Sequence, residues 1–149
     1  MSPFFKKQFF SAAQKERIIA AIRSMEQQTS GEIRVFVETK NPFVDPVDRA
    51  REVFHQLKME NTKHRNAVLL YIAVKHRELA LFGDEGIHKV TGTDHWSSAV
   101  KHIIQHFKGD DIVEGIVQSI VHVGKILKEK FPYDAADVNE LPGNIILGE

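Results

Sequence analysis

The sequence contains no cysteine, and it carries no excess of charge of either sign. Without cysteine, disulfide bonds, thiolate-bound metals and cysteine nucleophiles are excluded, although such a chain can function in any compartment. The 20 Lys and Arg residues balance the 20 Asp and Glu residues. Because no overall field attracts a polyanion, we do not expect nucleic acid as a partner.

Long apolar segments are also missing. No stretch reaches the roughly 18 uncharged apolar residues of a membrane-spanning helix, so we predict no transmembrane segment. The start, MSPFFKKQFF, has no continuous apolar segment and does not predict a secretory signal. Its phenylalanines and lysines could contact a lipid surface, but packing on the domain or on a partner is the simpler expectation. The sequence is therefore most simply interpreted as that of a cytoplasmic protein.

The composition is that of a globular protein with one domain. Of the 149 residues, 42% are hydrophobic and 27% are charged, which is enough to build a sizeable core. The sequence shows no internal repeat. We therefore predict a single domain over residues 1–132 and an extended tail over residues 133–149.

Hydrophobic periodicity predicts seven elements. Ser11 and Gln14 are spaced as a capping box at the start of the first helix, and Asp45 followed by Pro46 is typical of the start of the second. Residues 67–74 are apolar throughout, which indicates a central strand covered on both faces. The order is a helix over 11–28, a strand over 32–38, a helix from 46, strands over 67–74 and 78–82, and helices over 94–107 and 111–129.

This order predicts an α/β fold, a three-layer α/β/α sandwich in which helices cover both faces of a small mixed sheet. The strand over 32–38 alternates apolar and polar residues, so we expect one face in the core and Phe36 partly covering the other. A crossover helix makes the first two strands parallel, and the short turn before residue 78 makes the third antiparallel. The starts of the first two strands and the end of the third therefore fall at one rim of the sheet.

Polar and glycine residues at that rim form a candidate ligand-binding site. Oxygen donors suit Ca²⁺ or Mg²⁺, and Asp84, Glu32 and Asn66 are the candidate metal ligands. Arg65 could bind a phosphate in bidentate fashion. The structural alternative is that the glycines end elements and that Arg65 bridges to Glu32 or Asp84. The full candidate set is Gly31, Glu32, Arg65, Asn66, Gly83, Asp84 and Glu85.

Several ordered motifs carry a family resemblance. TSGEIRVFVE, RNAVLLYIAV, FGDEGI and GIVQSIVHVGKILKEKFP look like those of the TPM domain family, the thylakoid-lumen phosphatase and photosystem II repair type of domain, in its small soluble bacterial members. The resemblance implies an α/β/α sandwich, divalent-cation binding as reported in some members, and weak acid phosphatase activity as reported in a plant member. Carried over position by position, it points to Gly31, Glu32, Arg65, Asn66, Gly83 and Asp84.

The sequence departs from the family pattern in two places. Many members have Asn or Gly where Ala67 stands, and an acidic residue where Lys75 and His76 stand in the hairpin turn. Each departure removes a potential oxygen ligand. The expectation of Ca²⁺ or Mg²⁺ is therefore weaker for this chain than for its family.

Two other polar patterns are better explained without a ligand. His95, His102 and His106 lie near one side of a predicted helix, and the last two have a spacing that can hold zinc. The row borders the apolar face, however, which favours packed or solvated histidines. Ser97 and Ser98 have no evident orienting carboxylate, so a serine nucleophile is not expected.

Functions of different classes remain open. The first is a non-catalytic interaction module, with a divalent cation or a salt bridge stiffening the rim, that acts with a protein partner in membrane or stress maintenance. The alternative is a weak metal-assisted acid phosphatase for phosphomonoesters, in which Asp84 helps to hold the cation and Arg65 stabilises the transferring charge. The absence of an obvious covalent nucleophile favours the interaction module, and whether the chain is an enzyme stays open.

Overall fold

The computed structural model describes residues 9–42, 45–107, 111–133 and 145–147. The helices in this part of the chain are α1 (Ala12–Glu26), α2 (Pro46–Gln56), α3 (Glu85–Thr91), α4 (Thr93–Gln105) and α5 (Ile112–Lys130). The strands are β1 (Glu32–Glu38), β2 (Ala67–Ala73), β3 (Glu78–Gly83) and β4 (Ile145–Leu147). The seven predicted elements are confirmed, and α3 and β4 are additional. Residues 1–8 and 134–144, which include most of the proposed tail, lie outside the described residues.

Side-chain caps explain where the first two helices begin. Ser11 Oγ accepts a hydrogen bond from the Gln14 N–H at 3.1 Å, and Gln14 Oε1 accepts one from the Ser11 N–H at 2.9 Å. Asp45 Oδ1 accepts from the Val47 N–H at 2.9 Å, with Pro46 at the first helical position. These contacts satisfy backbone donors that the first turn of a helix leaves unpaired. None of the described helices is both long and apolar enough to cross a membrane.

The described strands form one mixed sheet in the order β3-β2-β1-β4. β1 runs parallel to β2, with Glu32 opposite Ala67. β3 returns antiparallel to β2, with Gly83 opposite Val68. β4 adds in parallel to β1 along Val35–Val37, so the tail supplies a strand of the sheet. Three residues are too few for a hydrophobic pattern, which is why the sequence does not predict β4.

Helices cover both faces of the sheet, as the predicted three-layer sandwich requires. On one face, α1, α4 and α5 cover the sheet, with α1 against β1 and α4 against β3, and the buried cluster there includes Ile22, Val35, Leu70, Trp96 and Ile120. On the other face, α2 packs against β2 and β3, and the cluster includes Val53, Phe54, Leu69, Tyr71 and Ala80. Phe10 belongs to the first cluster, so this phenylalanine packs on the domain.

The polar face of β1 is more deeply buried than its alternation predicts. Both faces of the strand are buried, including Glu38. Arg49 of α2 donates to both Glu38 carboxylate oxygens, at 2.8 and 2.9 Å, and the Tyr71 hydroxyl donates to the same carboxylate. Burial and this hydrogen bond raise the pKa of Tyr71 well above its usual value. The buried Glu38 carboxylate is tolerated because α2 packs on the sheet and places the Arg49 guanidinium against it.

Replacing Arg49 with Met should leave the Glu38 carboxylate buried without its cation. We expect the free energy of unfolding to fall by about 3 kcal/mol, the usual cost of breaking a buried ion pair. The measurement is urea denaturation at neutral pH. The matched control is Arg51→Met on the same helix, because the 3.1 Å ion pair of Arg51 with Asp48 is half exposed and should contribute less than about 1 kcal/mol. Equal losses in the two variants would contradict the importance of the buried pair.

Candidate functional site at the rim of the sheet

The starts of β1 and β2 and the end of β3 meet at one rim, as the topology predicts. The Glu32 N–H donates to the Asn66 carbonyl at 3.4 Å, which joins the first two strands at their starts. The Asp84 N–H donates to the Ala67 carbonyl at 3.0 Å, which joins the end of β3 to the start of β2. The backbone therefore brings the seven candidate residues of three chain segments to the same edge.

Arg65 forms a two-pronged ion pair with Asp84. Arg65 Nε lies 2.7 Å from Asp84 Oδ2, and Nη2 lies 2.9 Å from Oδ1. Its third nitrogen, Nη1, lies 2.6 Å from Glu85 Oε1. The Asp84 side chain is 4% exposed, whereas that of Arg65 is 39% exposed, so the guanidinium covers a buried carboxylate. The hydrogen bonds to Asp84 raise the pKa of Arg65, as expected for a charge-assisted pair.

The sequence GDEG is a junction between β3 and α3. Asp84 is the N-cap of α3, and its Oδ1 accepts from the next backbone N–H at 2.8 Å. A Cβ on Gly86 would lie 2.1 Å from the His64 carbonyl oxygen, and a Cβ on Gly83 would lie 2.9 Å from Trp96 Cζ2. Both glycines are therefore required by close packing rather than by a turn alone. α3 is not predicted from the sequence because its seven residues span only about two turns, which is too few to show a helical period.

The remaining candidates lie on the buried side of the rim. Asn66 is 1% exposed, with Nδ2 at 3.4 Å from Ser30 Oγ, and Glu32 is 5% exposed. A Cβ on Gly31 would lie 3.0 Å from a methyl carbon of Leu127. Among the residues that the structure describes, no group of three or more His, Asp or Glu side chains is placed to hold a metal ion.

The histidine row continues onto a second helix. The rings of His102 and His106 have centres 4.2 Å apart, and the ring of His122, on α5, lies 6.3 Å from that of His102. Burial is the main cause that lowers the pKa of His122, and Lys125 and the two other histidines add to it. No spacing in the sequence indicates this contact, because His122 comes from a different element.

A half-buried acid that sequence reasoning missed, Glu26, lies beside the rim at the end of α1. Glu26 Oε2 accepts a long hydrogen bond from the Ile33 N–H at 3.4 Å. Burial raises the pKa of Glu26 to about 7; that hydrogen bond opposes the shift, and the negative charge of Glu32 adds to it. Nothing in the sequence distinguishes Glu26 from Glu16, the other acid of α1, since β1 supplies the environment that makes Glu26 unusual.

Comparisons with known proteins identify one matching family and several solved structures that resemble this chain over most of its length. The family model of the TPM domain matches residues 5–126. The NMR structure of the BA42 protein from the psychrophilic bacterium Bizionia argentinensis is 40% identical with a TM-score of 0.84, and the match covers 99% of this chain and 100% of that one. No curated protein matches the sequence.

Two more distant structures share the fold alone. The N-terminal domain of a protein from P. gingivalis is 20% identical, with a TM-score of 0.63, over 84% of this chain and 82% of that one. The N-terminal domain of the cg2496 protein from Corynebacterium glutamicum is 14% identical, with a TM-score of 0.62, over 88% of this chain and 81% of that one. The same sandwich is therefore built from very different sequences.

The raised pKa of Glu26 predicts a specific loss of stability with pH. Since the folded state favours the protonated acid, the contribution of Glu26 is fully present below pH 4.5 and is lost as the pH rises through about 7. We expect Glu26→Gln to be more stable than the wild type by about 1 kcal/mol at mildly alkaline pH, a figure discounted because water screens this half-buried group. At acidic pH the two proteins should be equally stable.

The measurement is thermal or urea unfolding of both proteins across this pH range. Glu16→Gln, which changes an exposed acid of the same helix, is the matched control and should follow the wild type throughout. Parallel pH profiles for the wild type and Glu26→Gln would show that burial does not perturb this acid.

Proposed function

Because this chain belongs to the TPM domain family, we propose that it is a non-catalytic interaction module, in which the rim stiffens the fold and another surface docks a protein partner. Its setting in membrane or stress maintenance is the part of the proposal that rests on the family resemblance. The alternative, a weak metal-assisted acid phosphatase, places Asp84 and Arg65 in catalysis. The two functions therefore make opposite demands on the same pair of side chains.

The observation that carries the proposal is that both oxygens of the buried Asp84 carboxylate already accept hydrogen bonds from the protein. Both of its oxygens accept from Arg65, and Oδ1 also accepts from the Glu85 N–H. A carboxylate that binds a catalytic cation, or that moves a proton, needs an accessible oxygen, whereas this side chain is 4% exposed. The contacts of Asp84 instead hold α3 against the start of β2.

The contacts of Arg65 support the same interpretation. Stabilising a transferring phosphoryl group requires guanidinium nitrogens directed at the substrate. Three nitrogens of Arg65 are directed at Asp84 and Glu85, with distances of 2.6 to 2.9 Å. A phosphate could therefore bind in bidentate fashion through Nε and Nη2 only by displacing Asp84.

Divalent-cation binding at this rim stays a prediction. The residues as arranged do not fit a bound cation, because the guanidinium of Arg65 already lies 2.7 Å from the strongest candidate ligand, Asp84. Ca²⁺ or Mg²⁺ could bind only if Arg65 moved away from Asp84. Glu85, whose side chain is 64% exposed and also contacts Arg65, could then become a second ligand. In the proposed module, the ion pair takes the stiffening role that a cation would otherwise have.

Asp84→Asn separates the two functions. We expect it to lower the free energy of unfolding by about 2 kcal/mol, because Arg65 loses a buried anionic partner, and to leave phosphomonoester hydrolysis at the same background rate as the wild type. The measurements are urea denaturation and release of p-nitrophenol from its phosphate, with and without Mg²⁺. The matched control is Asp94→Asn, an exposed acid in the first turn of α4, which should cost less than about 1 kcal/mol and leave hydrolysis unchanged. Wild-type turnover that disappears in folded Asp84→Asn would establish the phosphatase instead.

Calorimetric titration of the metal-free protein with Ca²⁺ and then Mg²⁺ tests the cation separately. Stoichiometric binding that is lost in Asp84→Ala would show that the rim opens to accept a cation. Absence of binding at millimolar cation would leave the Arg65 ion pair as the sole stiffening contact of the proposal.

A further inference from the structure

A groove of about 650 Å³ runs along the outer edge of β3, the terminal strand of the described sheet, between α2 on one face of the sheet and α4 on the other. Trp96, Val100 and Ile104 form its α4 wall, and their spacing of four residues places them along one side of the helix. Val47 stands on the α2 wall and is 38% exposed, and Phe82 contributes to the floor. From Trp96 to Ile104 the apolar wall is about 12 Å long. The groove is therefore elongated as well as apolar.

The charged residues that line the groove are both basic. Arg51 stands on the α2 wall and Lys101 on the α4 wall, and no acid is among the lining residues. The guanidinium carbon of Arg51 lies 5.9 Å from the centre of the Phe82 ring, which places the charge over the floor. The ion pair of Arg51 with Asp48 is half exposed, so its exchange for another carboxylate costs little.

We infer that this groove binds an acidic amphipathic helix of a partner protein. An elongated apolar groove accepts the apolar face of such a helix, with side chains spaced three and four residues apart as anchors. Carboxylates on the two flanks of that face can reach Arg51 on one wall and Lys101 on the other. A small apolar acid carries a single carboxylate and would use only one wall. The inference rests on the proposed function, because it identifies the docking surface that an interaction module requires.

Trp96 makes the inference directly measurable. It is the single tryptophan of the chain and is 3% exposed in the groove wall, so tryptophan fluorescence reports on this site. The probes are blocked peptides of about 14 residues, long enough for a helix, with Leu and Phe on one face and Glu on both flanks. Matched peptides carry Lys in place of Glu.

The acidic peptides should change Trp96 fluorescence saturably and shift backbone amide signals of β3 and α4 in NMR spectra. The Lys peptides should bind at least about tenfold more weakly, because they face charges of their own sign. Added salt should weaken binding of the acidic peptides, since the charges at the rim of the groove are exposed to solvent.

Charge-removing variants locate the contact. Arg51→Gln combined with Lys101→Gln should weaken binding of the acidic peptides about fivefold, as expected for two exposed charge pairs. The control removes two other exposed charges, with Arg23→Gln on α1 and Lys128→Gln on α5, neither of which lines the groove. The control should bind like the wild type.

Several results would overturn the inference. Equal binding of acidic and basic peptides, or no binding at millimolar peptide, would rule out an acidic helix as the occupant of the groove. Decanoate that changes Trp96 fluorescence and prevents peptide binding at lower concentration would make the groove a site for small apolar acids. Fluorescence that depends on protein concentration without any peptide would identify a second copy of the chain as the occupant. Turnover lost in Asp84→Asn would instead contradict the proposed function, and it would leave the peptide result unaffected.

Discussion

Complete burial of β2 is the constraint on which the rest of the structure depends. Each residue of Ala67–Ala73 is at most 1% exposed. A strand without access to water must have both faces covered and both backbone edges paired. β1 and β3 pair the edges, while α2 covers one face and the layer of α1, α4 and α5 covers the other. The crossover through α2 makes β1 parallel, and the short hairpin makes β3 antiparallel.

This pairing scheme explains why polar residues converge at one rim. Two strand starts and one strand end lie side by side there, and the chain must turn sharply to enter β2. Arg65 makes that turn with a φ of 51°, a conformation that residues other than glycine rarely adopt. Its carbonyl accepts from Gly86 and its side chain holds Asp84, so the same residue fixes the entry to β2 and the start of α3. A rim built in this way is better suited to rigidity than to exchange of ligands.

Sequence reasoning succeeds where a pattern is long or a rule of topology applies. Strand β2 is recognised because it is apolar throughout. The directions of the three strands are enough to predict that Arg65 and Asp84 lie at the same rim. The pattern cannot decide whether Arg65 binds Asp84, Glu32 or a ligand, since that depends on contacts of a few ångströms. It also misses the Glu38–Arg49 pair, whose members read as ordinary polar positions of a strand and a helix until α2 packs on the sheet. Short elements such as α3 and β4 carry no period from which to be predicted.

The rim and the groove differ in how deeply their charged side chains are buried, and this difference suits them to different roles. At the rim, Asp84 is shielded from water by Arg65. Exchanging Arg65 for a ligand would leave a buried carboxylate without its cationic partner, which costs stability. In the groove, Arg51 and Lys101 are exposed, and the half-exposed ion pair of Arg51 with Asp48 is weak enough to be replaced by a contact with a partner. The apolar wall beside them gains from being covered, because burial of its exposed surface removes it from water. Stability is therefore expected to reside in the contacts of Asp84, and recognition in the groove between α2 and α4.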